Sequence, residues 1–503
     1  MDQQDEKALS ELKARLGEAR DLEEAGALLF WDQQTYMPEG GAAARARHMA
    51  TLTRLAHEKA TDPEIGRLLD RLQPRAESLS AEDADLLRVA RRDYDRATKV
   101  PPDFVAEMNR HFSETYQVWA KSRPANDFKA VEPYLERTVD FSRRYADFFP
   151  GYEHIADPLI DTADPGLPAS TIGRLFADLR RELVPLVQTV TSQPPADDAC
   201  LRQHFPEADQ WRFGLDVAKQ IGYDLERGRE DKTPHPFTIS FSIGDVRITT
   251  RVNEDDLREA LFGTIHESGH ALYEQAVASS LEGSPLAGGT SSGVHESQSR
   301  LWENLVGRSR SFWEYFYPKL QAVFPSQLGD VPLDTYYRAI NKVQRSLIRV
   351  EADELTYNLH IMLRFDLELA LLEGKLAVKD LPEVWRERMK QDVGIEPPDD
   401  RDGVLQDVHW YFGTVGGAFQ GYTLGNVMSA AFLEAAGRAH PEIPAEISRG
   451  EFSTLLGWLR ENIYQYGRRI DTLDLVERVT GAPLDIGPYI RYLRGKYGEL
   501  YQL

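Results

Sequence analysis

Leu261-Phe262-Gly263-Thr264-Ile265-His266-Glu267-Ser268-Gly269-His270-Ala271-Leu272-Tyr273 sets an H-E-x-x-H pattern inside an apolar run. Side chains four apart stack on one face of a helix, so the His266 and His270 imidazoles leave it together. Imidazoles so placed can close on one zinc ion at about 2.0–2.1 Å each. Glu267 lies about 100° round the helix from His266, which makes it a poor third ligand. It can instead reach a water bound to the metal and take its proton, the general-base role of H-E-x-x-H metalloproteases. The bland alternative is a chance match, and the apolar helical flanks speak against it.

A catalytic zinc needs a third protein ligand and one open position. Gly293-Val294-His295-Glu296-Ser297-Gln298-Ser299-Arg300-Leu301-Trp302-Glu303-Asn304 reads as the start of a second helix, reached through the turn-rich segment 282–293. Glu296 is the preferred third ligand, with His295 and Glu303 as competitors. Two His and a distant Glu form the ligand set of thermolysin-like zinc peptidases. The alternative for Glu296 is a solvated carboxylate at the positive end of a helix.

The chain has 503 residues, 42% of them hydrophobic and 10% aromatic, which is the composition of a globular protein. Its single cysteine, Cys200, excludes an intrachain disulfide and points to a reducing, cytoplasmic setting. Met1-Asp2-Gln3-Gln4-Asp5-Glu6-Lys7 lacks the basic-then-apolar pattern of a secretory signal. No apolar run approaches the roughly 18 residues of a membrane span. A formal charge of −22 argues against nucleic-acid or membrane partners.

Helical periodicity dominates. Leu9, Leu12 and Leu16 begin it, and long helices are expected near 102–122, 128–150, 169–190, 254–279, 295–323, 333–373, 403–437 and 450–466. One region alternates instead. Phe237–Ser242 and Val246–Arg251, joined by Ile243-Gly244-Asp245, predict a β-hairpin just ahead of the His266 helix. Its edge could hold an extended peptide, or the hairpin could be purely structural. With no repeat and no flexible linker, residues 1–503 read as one mainly α domain. It would have two lobes around a groove, about 1–230 and 231–503.

Further motifs follow in order: Leu29-Phe30-Trp31-Asp32-Gln33 with Met37-Pro38, His235-Pro236-Phe237, Asp245-Val246-Arg247-Ile248-Thr249, the H-E-x-x-H helix, His295-Glu296-Ser297-Gln298-Ser299-Arg300, Ile348-Arg349-Val350-Glu351-Ala352-Asp353, and Gly403-Val404-Leu405-Gln406-Asp407-Val408-His409-Trp410. In this series the chain resembles the carboxypeptidase Taq family of zinc metallocarboxypeptidases along almost its full length, with no departure at any motif position. The resemblance implies a large helical, saddle-like body with a deep active-site groove and a small sheet, similar to the neurolysin and angiotensin-converting enzyme (ACE) zincins. It further implies release of single carboxy-terminal amino acids from free-ended peptides, with broad specificity and poor action at proline. One Zn2+ per chain, replaceable by Co2+, and a homodimer belong to the same expectation.

In that chemistry Glu267 accepts the attacking water's proton and passes it to the leaving amine. A free carboxylate end suits a planar guanidinium. Arg349 is the first choice from its place in the motif, and Arg247 the second. The ordinary reading of Arg349 is a structural pair with Glu351 or Asp353. His235, His409 and Tyr422 are candidates for the oxyanion or the substrate backbone, each equally readable as a hydrogen-bonded structural residue. Asp245, Asp353, Gln406 and Asp407 could orient the groups that touch metal or substrate. Trp302, Trp313 and Trp410, and the aromatic stretch 308–317, read most simply as core. Two rival readings stand beside this one: a zinc endopeptidase or dipeptidase on the same scaffold, and a helical binding protein with a fortuitous motif.

Overall fold

Leu257–Gln275, the helix that carries the H-E-x-x-H pattern, is buried on almost every side. A helix buried on most of its faces belongs at the centre of a large protein, and the rest of the chain is built about it. The computed structural model describes residues 2–503. It is mainly helical, with one three-stranded sheet among the described residues.

The sheet comprises β1 (Glu230–Lys232), β2 (Thr238–Ser242) and β3 (Asp245–Thr250), in the order β1-β3-β2. β2 and β3 form the expected antiparallel hairpin, pairing Thr238 with Ile248 and Ser240 with Val246. β1 runs parallel to β3 and was not apparent in the sequence, being only three residues long and highly charged. Val246 and Ile248 are fully buried, which turns one face of β3 onto the core. Thr250 and Thr264 then join sheet to central helix through their hydroxyls at 3.3 Å.

Two more helices complete the frame. Ser292–Arg300 starts at Ser291, whose hydroxyl accepts the Val294 amide, and at buried Asp164, which accepts the Gly293 amide at 2.7 Å. Gln420–Ala439 lies against it. Both contacts depend on missing side chains. A Cβ at Gly269 would lie 2.7 Å from the Gln298 carbonyl and the Ser299 Cα, and one at Gly425 would lie 2.6 Å from Glu296 Cγ. Gly425→Ala is therefore expected to cost about 1–3 kcal/mol by overpacking and to lower the thermal midpoint. Gly457→Ala, in an exposed helix position with open space around it, should raise the midpoint, since alanine is favoured there by about 1 kcal/mol.

Most of the apolar interior is one cluster running from Phe128 to Tyr501. The amino-terminal helices Gln3–Thr35, Pro63–Leu72 and Ala81–Lys99 share a small core of their own around Leu9, Leu12, Leu69 and Leu87. Phe312, Trp313, Phe316 and Tyr317 are buried, as are Trp302 and Trp410, so the aromatic stretch is core.

Three expected long helices are interrupted. The 295–323 segment passes through a π-turn at Leu301–Val306 and restarts at Arg310, capped by Ser309. The 333–373 segment is two helices, Leu333–Ile340 and Tyr357–Glu373, around an irregular stretch. There Asn341 donates to two carbonyls, and Asp353 accepts the amides of Gln344, Leu355 and Thr356. These side chains give the backbone partners other than its own helix. The 403–437 segment is irregular up to Gln420 apart from one short turn, His409–Phe412. Gly416 and Gly417 take left-handed φ of 98° and 82° there, which breaks a right-handed helix.

Candidate metal centre

The central helix presents His266 and His270 on one face, and the Ser292–Arg300 helix crosses it so that Glu296 meets both. Glu296 Oε2 lies 3.5 Å from His270 Nε2 and 3.8 Å from His266 Nε2. Donor atoms of the three residues fall within 4.8 Å of one another. Zinc–ligand lengths near 2.0–2.1 Å place tetrahedral neighbours roughly 3.3–3.4 Å apart, so the three fit a single ion with little movement. Glu296 Oε1 accepts from Arg300 Nε at 2.7 Å, which leaves Oε2 as the oxygen facing the imidazoles.

The competitors for the third place stand behind the histidines. Glu303 Oε2 is 2.9 Å from His266 Nδ1, and Arg300 and Arg308 also bind Glu303. His295 Nδ1 is 2.5 Å from His270 Nδ1. Each meets the ring nitrogen that faces away from Glu296, the usual position of a group that orients a metal-binding imidazole.

Glu267 projects to the side of this triad. Thr238 of β2 holds it, its hydroxyl lying 2.7 Å from Glu267 Oε2 and 2.9 Å from the Glu267 carbonyl. Burial raises the Glu267 carboxyl, while His266 and Thr238 pull the other way. Burial opposes ionisation of Glu296 too, but Arg300 and the two imidazoles outweigh it and hold the carboxyl far below its ordinary range. Glu303 is depressed in the same way against burial, by His266, Arg300 and Arg308. Burial pushes His270 down to about 4, whereas His266 ends above its usual value because Glu296 and Glu303 overcome burial. The centre thus offers two anionic carboxylates, one on each side of His266.

The substrate candidates divide into two groups. Arg349 is buried, and its partner is Asp407, not Glu351 or Asp353. Nε and Nη2 donate to the two Asp407 oxygens at 2.8 Å each, and Nη1 donates to the Tyr357 hydroxyl at 3.0 Å. Arg364 donates to Asp407 from the other side at 2.6 Å, and His409 Nδ1 lies 3.1 Å from Asp407 Oδ1. Gln406 accepts from the Arg349 amide and from Arg364. The Tyr422 ring lies 5.4 Å from the Arg349 guanidinium. Arg349, His409 and Tyr422 therefore form one cluster. Arg300, 4.8 Å from the Tyr357 ring centre, connects it to Glu296.

Arg247 and His235 lie outside that cluster. The Arg247 guanidinium is taken bidentately by Asp245 at 2.8 and 2.7 Å and packs over the Trp31 ring at 4.3 Å. His235 is exposed in the turn before β2, where its carbonyl accepts from the Thr233 hydroxyl. The residues that sequence reasoning missed are Thr238, Arg300, Arg364 and Glu274. Glu274 had a visible signal, since it continues the His266–His270 face by one further turn.

Two imidazoles and a carboxylate closing on one point, with Glu267 held beside them by Thr238, have the geometry of a metal-dependent hydrolase's centre. Comparison with known proteins narrows this. The family model "Carboxypeptidase Taq (M32) metallopeptidase" matches residues 11–497, and the chain belongs to that family of metallocarboxypeptidases. "Thermostable carboxypeptidase 1" of Thermus thermophilus is 43% identical over 95% of this chain and 96% of the relative. "Carboxypeptidase 1" of Bacillus subtilis is 38% identical over 95% and 96%. The crystal structure of the M32 carboxypeptidase from Deinococcus radiodurans R1 superposes with a TM-score of 0.97 at 49% identity, covering 99% of this chain and 100% of that one.

Proposed function

We propose that this chain releases single amino acids from the carboxy-terminal end of peptides, with broad side-chain tolerance, using one zinc ion held by His266, His270 and Glu296. The convergence of both Nε2 atoms on Glu296 Oε2 carries the reading. A divalent ion there supplies Lewis acidity toward the scissile carbonyl and makes water nucleophilic near neutral pH. Glu267, fixed by Thr238, takes the attacking water's proton and delivers it to the leaving amine. Cobalt suits the same nitrogen and oxygen donors.

Arg349 is assigned to the substrate's terminal carboxylate. A guanidinium has five N–H groups, and among the described residues Asp407 and Tyr357 take three of them. The two left are on Nη1 and Nη2, a pair that can grip a carboxylate end-on. His409 and Tyr422, beside Arg349, are assigned to the substrate backbone or the oxyanion. His235 and Arg247 are lesser candidates, since Asp245 already occupies Arg247. Arg349→Leu should raise KM for free-ended peptides at least tenfold, and steady-state kinetics showing an unchanged KM would remove Arg349 from this role.

The whole chain acts in this reading as one catalytic unit, an amino-terminal lobe of about 1–230 and a zinc-bearing lobe of 231–503, paired as a homodimer in the cytoplasm. The single, half-buried Cys200 fits a reducing setting. No helix among the described residues is long and apolar enough to cross a membrane. Mass spectrometry of a mixed peptide, with and without chelator, tests the activity. A ladder shortening from the carboxy-terminal end, abolished by chelation and by amidating that end, is expected. Internal cleavage, or amidated peptides cut as fast as free ones, would favour an endopeptidase.

A further inference from the structure

We infer that His295, backed by Glu274, is a positioning residue that holds His270 in the one tautomer able to bind a metal ion. The inference rests on the metal-site reading above. His270 and Glu274 are one helical turn apart on the central helix, and the His295 ring from the next helix bridges them. His295 Nδ1 lies 2.5 Å from His270 Nδ1, and His295 Nε2 lies 2.7 Å from Glu274 Oε1. The Gly289 amide donates to the same Glu274 oxygen at 3.0 Å. A Cβ at Gly289 would collide with the His295 ring, so the glycine makes room for it. The Tyr273 ring also packs on His295, its centre 5.4 Å away.

Proton counting gives the bridge a direction. Two neutral imidazoles meeting through Nδ1 share one proton between those atoms. A cation on His270 Nε2 uses that lone pair, so the His270 proton sits on Nδ1 and donates to His295 Nδ1. The His295 proton is then on Nε2, where it donates to Glu274. In the opposite arrangement His295 would donate from Nδ1 and turn a bare Nε2 lone pair onto the Glu274 carboxylate at 2.7 Å. Two acceptors at that distance repel, so Glu274 selects the metal-ready tautomer from two residues away. His266 needs no relay, because Glu303 meets its Nδ1 directly.

Zinc affinity measured by competition with a chromophoric chelator tests this, alongside the melting temperature of the metal-free protein. His295→Phe keeps a packed ring and removes the acceptor. Glu274→Leu removes the selecting carboxylate without touching a metal donor, and so carries the test if His295→Phe fails to fold. Each is expected to weaken zinc binding about 10–100-fold, the usual effect of losing a group that orients a ligand. The double variant should be no weaker than the weaker single, because the two act in series. Affinities within twofold of the parent for both single variants, or fully additive losses in the double, would overturn the relay while leaving the metal site intact. A parent protein that binds no zinc, or whose affinity survives His266→Ala, would instead overturn the metal-site reading itself.

Discussion

Glu267→Gln is expected to lower kcat by about 10²–10⁴-fold, the range over which a positioned general base contributes, while fold and metal content stay unchanged. Glutamine has the same shape, and its amide oxygen can still accept from the Thr238 hydroxyl, so the side chain stays where Thr238 puts it. What it loses is the capacity to take a proton. Glu267 also lies beside the His266–His270 face and is not among the three residues whose donor atoms converge. Elemental analysis should find the same metal per chain as in the parent. Near-normal turnover with metal bound would mean that another group moves the proton.

The second large effect concerns Asp407. Arg349 and Arg364 are both buried, Arg364 with no exposed surface, and Asp407 is the carboxylate between them. Removing one partner of a buried ion pair typically costs about 3–5 kcal/mol, because a charge is left without compensation. Asp407→Leu should therefore lower the melting temperature sharply and free Arg349 from the geometry proposed for binding a carboxylate, raising KM as well. Asp407→Asn, which keeps acceptor and shape, should be milder in both respects. Burial pushes the Asp407 carboxyl up, but the two guanidinium groups outweigh it and hold the carboxyl well below its ordinary range. A depressed carboxylate stabilises the fold at all pH above its unfolded value, about 3.9, and the stability is lost only as pH falls through the lower folded value. The pair should accordingly survive mild acid, and a melting temperature that already falls between pH 6 and 5 would not be due to it.

The convergence of the candidate metal residues was readable where its logic is local. His266, Glu267 and His270 lie within one and a half turns of a helix, and the spacing alone puts the imidazoles together. Glu296 could be proposed because a turn-rich segment and a helix start announce a chain reversal. The hairpin was readable from alternation. Asp407 and Gln406 were visible as orienting candidates, but that Asp407 pairs with Arg349, 58 positions earlier in the chain, was not. Thr238 likewise meets Glu267 across a strand-to-helix contact that no periodicity encodes. The break near 341–356 escaped because Asn341 and Asp353 satisfy the backbone there, an outcome that depends on tertiary placement, whereas the one near 403–419 turns on Gly416 and Gly417 at left-handed φ.

The close approaches at Gly269 and Gly425 bear on how such an enzyme moves. Backbone rests on side chain and backbone at both points, leaving the Glu296 helix no room to roll or slide against its neighbours. His266, His270 and Glu296, whose donor atoms converge, consequently sit in one tightly packed block. The amino-terminal helices add a small core of their own outside that block, and Arg88–Asp471 and Arg468–Asp93 pairs tie them to the chain's carboxy-terminal part. An ion held as proposed by His266, His270 and Glu296 would therefore owe its donor spacing to two absent side chains as much as to the donors themselves.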